Sequence, residues 1–164
     1  MLVSTPISRS QLGEREIRIL RVAAGALAIL VGWLHVLHPD YGYTQLMLYV
    51  ELGTVYDPRP PLFVLSGLAL FVGVVVVMYG RIKKHLYLLG ILLMVTYLVG
   101  YVLWHTVLGH GAFWPYMGGH YHHDVGFIET VVDHLRADNI AMLSKIAELI
   151  LLVLLGLLYR FDNE

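Results

Sequence analysis

Apolar residues along this chain fall into four long blocks separated by polar segments, rather than into amphipathic stripes. The first block runs from Ile19 to His38 and contains the uncharged stretch VAAGALAILVGWL. The second, Leu62 to Tyr79 (LFVLSGLALFVGVVVVMY), carries no charge at all. The third, Leu86 to Gly109, is interrupted only by His105, and the fourth, Ile140 to Tyr159, holds Lys145 and Glu148 near its start. A hydrocarbon core of ~30 Å takes about 20 helical residues, so each block is long enough to cross. Only GRIKKH separates the second from the third, which makes those two antiparallel neighbours. The expected fold is therefore all-α: a polytopic membrane protein with a four-transmembrane-helix up-down bundle in one membrane domain, 1–164. Its spans are expected at about 19–38, 62–79, 86–109 and 140–159.

The two longer connections, 39–61 and 110–139, have room for short interfacial helices. Thr44 to Glu51 reads as one, with Thr44 as N-cap and Gly53 as stop. Asp124, Ile128, Val131, Val132 and Leu135 recur at helical spacing and predict an amphipathic helix from Val125 to Ala137. Asp138 or Asn139 then caps the last span.

Composition sharpens this picture. The chain is 58% hydrophobic and 14% charged, against roughly 25% charged in soluble domains, and its mean hydropathy is +0.70. The lipid bilayer is thus the expected partner. A net charge of −1 without a basic face gives no indication of nucleic-acid binding. With no cysteine, disulfides, thiolate metal sites and iron–sulfur clusters are excluded. The opening MLVSTPISRSQLGEREIR lacks an apolar core of its own, so the first block is expected to stay in place as a signal anchor.

Basic residues set the expected orientation. Arg9, Arg15, Arg18, Arg21, Arg81, Lys83, Lys84 and Arg160 fall on one side, with Arg18 and Arg21 placed to snorkel. Arg59, Arg136 and Lys145 fall on or near the other. The positive-inside rule then predicts a multi-pass cell-membrane protein with both termini cytoplasmic. Trp33, Trp104 and Trp114, with Tyr41, Tyr43, Tyr56, Tyr116 and Tyr121, form an aromatic belt at the outer interface.

Histidine shares this asymmetry. His85 is on the cytoplasmic side, whereas His35, His38, His105, His110, His120, His122, His123 and His134 lie at outer span ends or in outer loops. Asp40, Glu51, Asp57, Asp124, Glu129, Asp133 and Asp138 lie there too. Neutral imidazoles beside carboxylates suit a transition metal such as Zn, Cu or Fe. The loop stretch GHGAFWPYMGGHYHHD supplies His110, His120, His122, His123 and Asp124, and Gly118 and Gly119 let it turn tightly. Glu129 and Asp133, four apart on the following helix, repel one another unless a cation is shared.

A second grouping lies on the spans. His35 and His38 are three apart on the first helix, and His105 sits at a similar depth on the third, diagonal in an up-down bundle. Ser66 and Ser144 are expected near that layer, and Gly32 and Gly100 would leave room for a macrocycle. An imidazole pair of this kind fits axial ligation of haem b. The alternative is that each ring bonds a backbone carbonyl or interfacial water. Glu148 lies about 14 Å into the fourth span, where ionisable groups are costly. Paired with Lys145 it is structural; free of it, it would carry protons or contact a quinone.

H-E-x-x-H, G-x-S-x-G, P-loop and G-x-G-x-x-G motifs are absent, so no reaction can be assigned. HVLHP after the first span and DPRPPLF before the second give the chain a look that resembles small four-span integral membrane proteins of archaea. That resemblance implies the architecture and no activity. Three readings stand: a metal-binding outer mouth, a haem or quinone electron-transfer protein, and an accessory bundle that works through partner subunits or a homo-oligomer.

Overall fold

The computed structural model describes residues 12–79, 83–117 and 126–162, and its regular structure there is entirely helical. In chain order the helices are α1 (Glu14–Val36), α2 (Tyr43–Leu52), α3 (Arg59–Tyr79), α4 (Lys83–His105), α5 (Phe127–Ala137) and α6 (Asn139–Phe161), with a tight turn at Gly109–Gly111 between α4 and α5. Helices α1, α3, α4 and α6 are each long and apolar enough to cross a bilayer. This is a multi-pass membrane protein, and its outward leucines and valines, such as Leu65, Val72 and Leu89, stay exposed on the bundle surface. In hydrocarbon that exposure costs nothing, because lipid tails are as apolar as leucine.

Helix ends depart from expectation for local reasons. Helix α1 starts at Glu14 rather than Ile19, because the Gly13 N–H is capped by Glu16 at 2.8 Å and both acids sit at the positive end of the helix dipole. It stops at Val36, since Pro39 disfavours helical backbone at His38. His38 therefore does not share an α1 face with His35. Helix α4 stops at His105, short of Gly109, whose φ is +52°. The cap of α2 is Gly42, not Thr44, which lies inside the helix, while Gly53 ends it in the left-handed conformation at φ 64°. Helix α5 begins at Phe127. Asp138 does cap α6, accepting from the N–H groups of Ile140 at 2.9 Å and Ala141 at 3.0 Å.

Helix α1 packs broadly on α3 and α6, and α6 on α4, while α3 and α4 meet much less closely and α1 lies diagonal to α4. The tightest crossing is between α1 and α3. A Cβ on Gly32 would lie 3.1 Å from the Gly67 carbonyl, and one on Gly67 would lie 2.9 Å from the Gly32 carbonyl. The two backbones touch there because neither residue carries a side chain. Phe71 fills the remaining space beside Gly32, which therefore leaves no room for a macrocycle. Val31, Met94, Leu151 and Leu158 make up the buried centre with Ala24, Ala28 and Ala147.

At the end that holds the start of α1 and the end of α6, Arg21 does not snorkel. It turns inward and grips Asp162 bidentately, Nε–Oδ2 2.7 Å and Nη2–Oδ1 2.5 Å. The Tyr87 hydroxyl donates to the same carboxylate at 2.7 Å, so one fully buried acid ties α1, α4 and the end of α6 together. Replacing Asp162 with Ala strips the partner from a half-buried guanidinium and a buried hydroxyl, and should cost about 3 kcal/mol. Reversible unfolding in mixed detergent micelles measures this. Arg21→Met/Asp162→Leu, which removes both charges, should recover most of the loss.

Candidate metal centre

Three histidines converge at the opposite end of the bundle. His105 is the last residue of α4, His110 sits in the turn that follows, and His134 projects from α5. The Nε2 atom of His110 lies 3.1 Å from Nδ1 of His105 and 3.1 Å from Nε2 of His134. One ring nitrogen from each residue falls within a sphere where all separations are at most 4.8 Å. The rings lie within 4.3–5.0 Å of one another, centroid to centroid.

Each ring is placed by its own element. On His134, Nδ1 donates to the Thr130 carbonyl one turn back at 2.8 Å. In the neutral ring that bond fixes the proton on Nδ1 and turns the Nε2 lone pair toward the cluster. A backbone partner on the non-ligating nitrogen is the usual way in which a metal-binding imidazole is oriented. His105 packs against Tyr101, a turn earlier on α4, with centroids 4.5 Å apart.

His110 needs an unusual backbone. It adopts φ 56°, ψ 34°, and its neighbours Gly109 and Gly111 have φ 52° and 86°. Three consecutive left-handed residues reverse the chain just beyond α4 and return the His110 ring toward His105. For a residue with a side chain this conformation costs about 1–2 kcal/mol. Such cost accumulates where surrounding structure imposes a geometry, often at functional sites. Gly111 is also the only residue that fits, because a Cβ there would lie 2.6 Å from the Trp104 ring and 2.8 Å from Met117 Sδ.

A polar brace holds the neighbouring loop. Asp57, itself buried, accepts from the Arg59 N–H at 2.8 Å and from its guanidinium at 2.6–3.1 Å. That guanidinium lies between Tyr41 and Trp104, 3.8 Å and 4.5 Å from their ring centres. The Trp114 indole N–H donates to the Val55 carbonyl at 3.2 Å, joining the two long loops. His38 caps the turn after α1, its Nδ1 accepting from the N–H groups of Asp40 at 3.2 Å and Tyr41 at 3.3 Å. Burial, with Arg59 adding to it against the opposing pull of Asp138 and Asp40, lowers the His38 pKa from its ordinary value.

The structure divides the other candidate residues. His120, His122, His123 and Asp124 lie outside the described residues. Glu129 and Asp133 are exposed on α5 and are not in the group of three converging rings. His105 belongs with His110 and His134, not with His35 in a diagonal pair. His35 is buried, with Nδ1 donating to the Val31 carbonyl at 2.8 Å and Nε2 facing Glu148 at 3.6 Å. Its faces are covered by Tyr97 and Phe63. Nδ1 is bonded and Nε2 faces a carboxylate, so among the described residues the haem-ligand reading finds no axial pair. Glu148 is not free: it accepts from Lys145 at 2.7–2.8 Å and from Ser144 at 2.7 Å, which closes an internal polar knot.

Sequence reasoning left His134 out of the ligand set. Its signal was its position between Val131 and Leu135 on the inward side of an amphipathic helix, where a polar residue needs a partner. No protein family, curated protein or solved structure matches the chain.

Two outcomes are expected. Gly111→Ala should displace His110 while leaving helix content intact, which the histidine ring resonances and circular dichroism together would show. His38, with its pKa lowered on folding, resists protonation, so stability should fall as pH drops below about 6.5. His38→Asn should flatten that part of the stability–pH curve.

Proposed function

We propose that this membrane protein binds a transition-metal ion, zinc as first choice, through His105, His110 and His134 on the outer face of the bilayer. The observation that carries the reading is the convergence of three imidazole nitrogens, from three separate elements, to within 4.8 Å of one another. An ion with Zn–N bonds near 2.1 Å in tetrahedral geometry holds its ligands ~3.4 Å apart. The two 3.1 Å separations need to open by a few tenths of an ångström, and the remaining one, at most 4.8 Å, closes onto the ion.

The chemistry of the donors agrees with the geometry. His134 already presents a lone pair to the cluster, fixed by its bond to Thr130. His110 Nε2 sits between two other ring nitrogens, and a metal ion replaces the hydrogen bonding that links them. Imidazole-only ligation suits zinc, copper and iron, and a set of three leaves a fourth position for water, a substrate or another ligand. That pattern belongs to sites where ions are handled or reactions run, rather than to closed structural sites. The outer location follows from the excess of Lys and Arg at the other end of the bundle.

The test is zinc titration of the purified, chelator-stripped protein, followed by calorimetry and, with cobalt(II), by the visible absorption of a tetrahedral ion. One ion per chain is expected. His110→Ala and His134→Ala should each weaken binding by at least ~100-fold, on the scale that loss of even an outer-sphere partner approaches. His85→Ala, exposed at the other end, should leave it unchanged. Binding that survives both triad substitutions sinks the proposal.

A further inference from the structure

Because α3 and α4 meet sparingly, the bundle has an apolar cavity of about 750 Å³, half open at its surface and lined by all four spans and by none of the histidines. On α1 it runs from Arg21 to Ile29, on α3 from Ala69 to Met78, and on α4 from Lys83 to Leu93. At 1.5 Å per residue these stretches are ~12–15 Å long. That is half of a ~30 Å hydrocarbon core, so the cavity is about as long as one leaflet is deep.

Its polar lining is confined to one end, where Arg21, Lys83 and Tyr87 stand. Arg15, Arg18, Lys84 and Arg160 are exposed around the same end, against Glu14 and Glu16. The rest of the lining is aliphatic, and glycines keep it open. A Cβ on Gly73 would meet nothing within 4 Å, and one on Gly25 only Val74 at 3.9 Å.

We propose that this cavity is a lipid site, which takes a hydrocarbon chain of an anionic lipid from the leaflet at the basic end. The chain lies between α3 and α4, and the headgroup rests at the Lys83 end, where the exposed Arg15, Arg18, Lys84 and Arg160 supply positive charge while Arg21 is matched by Asp162. The occupant must be apolar, because an aliphatic cavity is a poor place for water. Its length of ~12–15 Å suits an extended hydrocarbon chain that enters from one leaflet. No histidine stands on the wall to ligate a haem, and the Tyr87 hydroxyl that a quinone would seek is already bonded to Asp162. The basic end selects headgroup charge, since anionic lipids are drawn to Lys and Arg at the membrane surface.

The full chain, delipidated in detergent, is mixed with phosphatidylglycerol or phosphatidylcholine and examined by native mass spectrometry. The wild type should retain one phosphatidylglycerol under activation that strips phosphatidylcholine. Gly73→Leu, which fills the cavity from α3, should reduce retention by roughly tenfold or more. Gly25→Leu should do the same from α1, so that misfolding of one variant does not decide the outcome. Lys83→Gln should erode the preference between the two lipids while leaving chain binding in place. Equal retention by the wild type and both leucine variants overturns the proposal. A wild-type dimer that Gly73→Leu splits, with lipid retention unchanged, overturns it in favour of a second copy. Zinc binding by the leucine variants should be unaffected, which separates this site from the histidine cluster.

Discussion

Hydrocarbon offers no hydrogen bonds, and that one property of the solvent governs this molecule. Every backbone polar group within the bilayer must be satisfied inside its own helix, so four long apolar segments can only become four helices. The same solvent removes most of the drive to bury leucine against leucine. What fixes one helix against another must then be something lipid cannot supply. Here it is the backbone contact at Gly32 and Gly67, and polar side chains that pair with one another inside the bundle.

Those polar ties occur at both ends and in between. Asp162 holds Arg21 and Tyr87 at the end that carries the termini. Glu148 gathers Lys145, Ser144 and His35 deeper in the bundle. Asp57 and Arg59, stacked between Tyr41 and Trp104, brace the loops at the other end. Each is a small, closed network. Such networks raise the cost of any other arrangement, because breaking one leaves a charge stranded in a medium that cannot solvate it. They explain how a bundle with a thin apolar centre and a loose α3–α4 seam keeps a defined shape.

The histidine cluster rests on this frame. His105 is as rigid as α4, and His134 is held by α5 and its own bond to Thr130. His110 is the costly element, a left-handed residue between two left-handed glycines. It can be held there because Trp104, which occupies the space beside Gly111, is itself pinned by Arg59. The brace and the cluster are thus one mechanical unit. The cavity at the basic end belongs to a different part of the bundle and shares no residue with it.

Spans, their antiparallel order and the crowding of imidazole at one end could all be read from residue order. They follow from hydropathy, segment length and side-chain chemistry, which are local properties. Asp138 as a cap was readable for the same reason. Which histidines meet was not. His105, His110 and His134 are separated by five and twenty-four positions, and their meeting depends on a three-residue left-handed reversal and on how α5 folds back onto α4 and α6. No period or spacing encodes that. Arg21 shows the same limit: one residue type can snorkel or turn inward, and the difference lies in a carboxylate 141 positions away. Contacts between distant segments are set by three-dimensional closure, and a linear pattern holds only the half of each pair that it can see.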